Sequence, residues 1–124
     1  MSETQSDDSF YLYDLRVEAV IPDGAKIYCG AKPGDYFELK GETMTLPAGQ
    51  GISIYALAGV LPLLAAKQRP THRNDWMSTD AEVACSDPNC GSRLRIVRTG
   101  LRQFSHAAVT AVPLSDEAPQ ETAI

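Results

Sequence analysis

The run from Ile52 to Ala66 constrains this chain most: about fifteen residues that are almost wholly apolar, with Ser53, Tyr55, Gly59 and Pro62 among them. It is too short to span a bilayer, which takes roughly 20 apolar residues, so it must be buried within protein. Ile54, Leu57, Leu61 and Leu64 recur at steps of three and four, with Ala58 and Ala65 beside them. That spacing predicts an amphipathic to fully buried helix over 52–68, with Leu57 and Leu61 turned to the core. Pro62 lies inside it, where a proline loses one hydrogen bond and crowds the carbonyl four residues back, at ~3 kcal/mol. That carbonyl belongs to Ala58, next to Gly59, and small side chains there let a helix bend over the clash. One kinked helix is therefore expected, ending at Arg69-Pro70.

Around the helix the periodicity changes from that of a helix to that of a strand. Leu12, Asp14, Arg16 and Glu18 alternate with Tyr13, Leu15, Val17 and Ala19, which predicts a strand over Tyr11 to Val20 with one apolar face. Ile21-Pro22-Asp23-Gly24 turns the chain, and a loop from Lys26 to Asp35 carries a second turn at Pro33-Gly34. Tyr36 to Lys40 and Thr43 to Leu46 read as antiparallel partners across Gly41-Glu42. Beyond a polar connector at 71–80 that holds the only tryptophan, Ala81 to Cys85 and Ser92 to Arg98 read as strands around a turn at Ser86 to Asn89. Phe104 to Val112 fits neither period. The expected fold class is α+β, a small antiparallel sheet packed on one central, kinked, apolar helix.

With 124 residues, the chain has room for a single modest core and none for separate cofactor and substrate domains. Its net charge of −5 is unevenly placed, because Glu3, Asp7, Asp8, Asp116, Glu117 and Glu121 lie at the two ends without a basic neighbour. Flexible acidic tails are expected at 1–9 and 113–124, flanking one domain at 10–112. The domain itself is near neutral, which argues against nucleic acid as a partner. Three cysteines, an odd number, and an opening stretch without a basic then apolar pattern point to a reducing compartment, the cytoplasm, and no membrane attachment.

Three groups of residues could carry chemistry. Cys29, His72, Cys85 and Cys90 have the donor types of a four-coordinate zinc site. Only Cys85 and Cys90 are local to each other, however, and the alternative is that the thiols fill the core as small hydrophobes while His72 sits on a surface loop. Cys29, Lys32 and Asp35 share a glycine-bearing loop, where an ammonium would favour a thiolate; the plainer alternative is a β-turn closed by Asp35. Arg93 and Arg95 share a strand face and could fork onto a carboxylate or phosphate, or pair with acidic residues of the first strand. Gly-x-Ser-x-Gly, the phosphate loop, His-Glu-x-x-His and Gly-x-Gly-x-x-Gly are all missing, which removes most support for hydrolase, kinase and dinucleotide-binding readings.

The order of Cys29, Gly34-Asp35, Phe37, the Ala56 to Leu64 stretch with Pro62, Trp76, Cys85 with Asp87-Pro88, and Leu94 to Arg98 resembles a family of small bacterial and archaeal proteins. Their pattern runs Cys-x-x-Gly-His-x-x-Gly-Asp-x-Phe, an Ala/Leu/Pro helix, a Trp and Cys-Pro-Asp-Pro. The resemblance covers roughly residues 12 to 99 and implies the fold without implying an activity. Ala31-Lys32-Pro33 stands where the family has its His, Pro47-Ala48-Gly49 where it has a middle Cys, and Ser86 where it has the first Pro of the late motif. Any metal or redox site of the family is thus incomplete here, and Cys90 and His72 would have to substitute.

The expected function is a small accessory protein acting through association, as a homo- or hetero-oligomer, because so apolar a helix exceeds what one short sheet can cover. The alternative is a small enzyme or metal-binding protein acting on a small anionic metabolite, with a pocket formed by Cys29, Lys32, Asp35, Trp76 and Cys85. Cys29 and Cys85 are expected to share that pocket with Trp76, without a cofactor; zinc or iron is the alternative.

Overall fold

The computed structural model describes residues 7–115. Those parts of the expected acidic tails at 1–6 and 116–124 lie outside the described residues. One antiparallel sheet organises the molecule: β1 (Ser9–Val20), β2 (Tyr36–Lys40), β3 (Thr43–Thr45), β4 (Glu82–Ala84) and β5 (Arg93–Ser105) stand in the order β3-β2-β1-β5-β4. Helix α1 (Ile54–Gln68) follows β3, a 3-10 turn occupies Trp76–Ser78, and a four-residue helix α2 (His106–Val109) follows β5. The fold is α+β and mostly sheet.

The long central pair β1 and β5 runs from Ser9 opposite Ser105 to Val20 opposite Arg93, with the register shifting between Asp14 and Leu15. Across the shift the partners step from Gly100 to Arg98, and the Thr99 hydroxyl donates to the Asp14 carbonyl at 3.1 Å. The inserted residue thus finds a partner of its own. β5 reaches seven residues past the expected end at Arg98, taking in Phe104, which stacks on Phe10 at 5.5 Å. β1 likewise starts before Tyr11, and Asp8 ahead of it accepts hydrogen bonds from the Ala107 N–H and the Ser105 hydroxyl, both at 2.9 Å.

The alternation in β1 puts Leu15 and Val17 on one face, where they meet Phe37 from β2, Ile96 from β5, and Val60 and Leu64 from α1. Leu12, of the opposite phase, is buried as well. Ser53 caps α1 by accepting from the Tyr55 and Ala56 N–H groups, so the helix starts two residues later than its apolar run. It continues unbroken through Pro62, which lies on the exposed side with Ala58 and Gly59. The buried stripe is Val60, Leu64, Lys67 and Gln68, with Leu57 and Leu63 packed at its edge. Leu61 and Ile54 are 50% and 69% exposed; the expectation that Leu61 faces the core is corrected, because the face is rotated by one residue toward Val60.

Polar contacts fix the far end of the helix. The buried Lys67 ammonium donates to the Met77 carbonyl at 2.6 Å, and burial holds its pKa below the usual lysine range. Arg98 on β5 donates to the carbonyls of Lys67 (2.8 Å) and Arg69 (3.0 Å), which places a cation on the exposed carbonyl end of α1. Gln68 reaches the Gly41 carbonyl of the β2–β3 turn at 2.7 Å. No helix among the described residues is long and apolar enough to cross a membrane.

Candidate metal centre

Two segments far apart in sequence, the β1–β2 loop and the β4–β5 turn, converge at one end of the sheet. Cys29 comes from the loop between β1 and β2, Cys85 follows β4, and Cys90 lies just before β5. The turn between the last two is tight: the Cys90 N–H donates to the Asp87 carbonyl at 3.0 Å, and the Asn89 N–H to the Asp87 carboxylate at 2.9 Å. Cys85 N–H donates to the Ser92 carbonyl, closing the hairpin. The 26–30 loop is then laid against it by the Gly91 N–H, which donates to the Lys26 carbonyl at 2.8 Å. That approach requires glycine, since a Cβ at Gly91 would stand 2.7 Å from the Ala25 Cβ.

The outcome is a cluster of three thiol sulfurs, all within 4.8 Å of one another. Cys90 Sγ is 3.6 Å from Cys29 Sγ. All three cysteines are free; Cys90 is buried, and Cys29 and Cys85 are half-buried. The buried Ser92 hydroxyl stands between two of them, 3.2 Å from Cys29 Sγ and 3.3 Å from Cys90 Sγ. The Tyr28 N–H donates to Cys90 Sγ at 3.3 Å.

These donors set the protonation state. The Ser92 hydroxyl, with the Tyr28 and Ser92 N–H groups, favours a thiolate at Cys90 and holds its pKa at about 6 despite burial. Cys85 receives a backbone hydrogen bond from Asp87 that favours its thiolate, yet burial and the neighbouring Cys90 outweigh this and push its pKa up. The surroundings thus favour the thiolate at Cys90 and the thiol at Cys85. A polar lining of this sort differs from what a thiol meets when it serves as a small hydrophobe among methyl groups.

Cys29 and Cys85 also line a cavity of about 560 Å³. Its apolar wall includes Val17, Phe37, Ile52 and Leu94, and Lys32, Asp35, Ser92 and Arg93 supply polar groups. Asp35 accepts from the Lys32 N–H at 3.0 Å across a turn in which Gly34 takes a φ of 88°, so its carboxylate serves the turn.

Of the sequence candidates, Cys29, Lys32, Asp35 and Cys85 share this cavity, and Cys90 joins the two thiols from behind. His72 does not join: its Nδ1 accepts the Asn74 N–H at 2.9 Å within the polar connector, where the geometry of that turn, not a metal, uses the ring. Trp76 is 60% exposed and is not among the cavity residues, because its 3-10 turn is docked at the opposite, carboxyl end of α1. Arg93 and Arg95 both pair with Glu82 of β4, at 3.3 and 2.9 Å, rather than with the first strand. Arg102 reaches the first strand instead, pairing with Asp14.

Ser92 and Gly91 are site residues that reading the sequence missed. The signal was the small pair following Cys90, which lets one backbone approach another. No family model, curated protein or solved structure matches the chain.

Proposed function

We propose that this chain is a metal-binding protein holding one zinc-class ion on the thiolates of Cys29, Cys85 and Cys90. The supporting observation is the convergence of three free sulfurs, two from the β4–β5 turn and one from the β1–β2 loop, within 4.8 Å. A tetrahedral zinc with Zn–S of about 2.3 Å spaces its sulfurs roughly 3.8 Å apart; the Cys29–Cys90 separation is 3.6 Å. Soft thiolates select zinc or iron over magnesium or calcium, and metal binding displaces any proton remaining on the three thiols. Structural zinc sites close with four protein ligands, whereas three leave an exchangeable position, so the site is read as one that takes a further ligand. Free thiols suit a reducing compartment, which supports a cytoplasmic location.

The test is elemental analysis of protein purified without a histidine tag. About one zinc or iron per chain is expected, with loss on Cys90→Ser and a lower unfolding midpoint in chelator. Substoichiometric metal together with a midpoint indifferent to chelator would overturn the reading.

A second reading, association with another copy of the chain, is supported by the outer face of α1. Ile54, Tyr55 and Leu61 are 69%, 71% and 50% exposed there, and such a run of apolar surface on a helix fits an interface. With both faces covered, α1 would be the central helix of the assembled protein. Sedimentation at high micromolar concentration should give a dimer that Leu61→Glu disperses; a monomeric wild type would sink this second reading.

A further inference from the structure

The three sulfurs are not equivalent with respect to the cavity. Cys29 and Cys85 line it, while Cys90 is buried and not among the lining residues, engaged by Tyr28 and Ser92. An ion on the three thiolates would be backed by Cys90 and the β4–β5 turn, and its remaining position would face the cavity. Three thiolates on a divalent ion leave a net charge of −1, which weakens the ion as a polariser of carbonyl groups or water. The same soft donor set favours another sulfur in the fourth position.

The cavity adds two further requirements. Its volume of about 560 Å³ lies in the range that encloses a small organic molecule, and its half-buried wall of Ala19, Ile52, Ala56 and Leu94 suits a short carbon chain. Lys32, also lining it, makes no ion pair among the described residues. Arg93, the other cation there, is engaged by Glu82. Among the described residues Lys32 is the one cation lining the cavity without an ion pair, so it can receive one anionic group on a ligand.

We propose that the cavity takes a small organic thiol bearing a carboxylate, with its sulfur on the metal held by Cys29, Cys85 and Cys90 and its carboxylate on Lys32. This rests on the metal-binding reading above. On binding, the ligand S–H bond breaks and a sulfur–metal bond forms; a metal-bound water leaves, and the proton passes to solvent. No electron is transferred.

The experiment uses the full chain loaded with cobalt(II), whose thiolate charge-transfer absorption reports each sulfur on the ion, titrated with 3-mercaptopropionate, 2-mercaptoethanol and propionate. Mercaptopropionate is expected to shift that absorption saturably. Lys32→Ala should weaken it about two- to fivefold, as an exposed ion pair does, while leaving 2-mercaptoethanol unchanged. Propionate should produce no change in the sulfur band. Failure to take up cobalt would overturn the metal reading and this inference together. Cobalt uptake with no response to either thiol, loss of the cobalt on adding thiol, or equal loss for both thiols in Lys32→Ala would overturn the inference alone.

Discussion

Gly91→Ala tests how the thiol cluster is assembled, since the new methyl would lie 2.7 Å from the Ala25 Cβ. Carbon atoms in contact prefer about 3.5 to 4.0 Å, so the 25–29 loop and the β4–β5 turn must part by roughly 1 Å. Gly91 does not have a positive φ, so alanine is allowed by the backbone and the effect is one of packing. Overpacking of this kind costs ~1–3 kcal/mol. It also lengthens the hydrogen bond from Gly91 to Lys26, now 2.8 Å, and separates Cys90 Sγ from Cys29 Sγ, so zinc affinity should fall with stability. Because the clash is between two methyl carbons, Ala25→Gly should relieve it. A double-mutant cycle by urea unfolding, run with and without zinc, should give a coupling of ~1–2 kcal/mol, although Ala25→Gly alone costs up to ~1 kcal/mol through chain entropy. Strictly additive effects, with coupling below about 0.5 kcal/mol, would show that the two segments do not meet at Gly91.

Leu64→Ala should cost ~2–5 kcal/mol in chemical denaturation and Leu61→Ala under about 1, because Leu64 belongs to the core and Leu61 is half exposed. Comparable losses would place the helix face elsewhere. Lys67 has a folded pKa below its unfolded value, so its penalty is fully present at low pH and fades as pH rises through the folded pKa toward the unfolded one. The unfolding free energy of the wild type relative to Lys67→Met should therefore rise as pH approaches about 10, and a pH-independent difference would contradict a buried ammonium.

How far the fold could be read from sequence depended on the range of the interaction. The alternation of Leu15 and Val17 and the turn at Gly41-Glu42 are local, and they appear in the structure as strand faces and a hairpin. The helix was legible as a helix, but not its orientation. Leu61 and Val60 are adjacent apolar residues, and only the sheet beneath them decides which is covered. Nothing near Lys67 in sequence announces the Met77 carbonyl that receives it. The cysteine cluster was half legible: the turn chemistry at Asp87 to Asn89 can bring Cys90 back to Cys85, whereas the meeting with Cys29 depends on β1 pairing with a strand some eighty residues away. His72 has the right donor chemistry for a metal, and its own turn takes it out of reach.

The pairing of β1 with β5 also sets when this protein can fold. Ser9 must find Ser105, and the Cys29 loop must find Gly91, so neither the sheet nor the thiol cluster can be completed until nearly all the chain is available. Such long-range closure slows folding relative to helical proteins of similar size. During synthesis, β1 and β2 can pair first, leaving the β1 edge unpaired and the apolar face of Leu15, Val17 and Phe37 uncovered until α1 and β5 arrive. That interval is when the nascent chain is most exposed to aggregation.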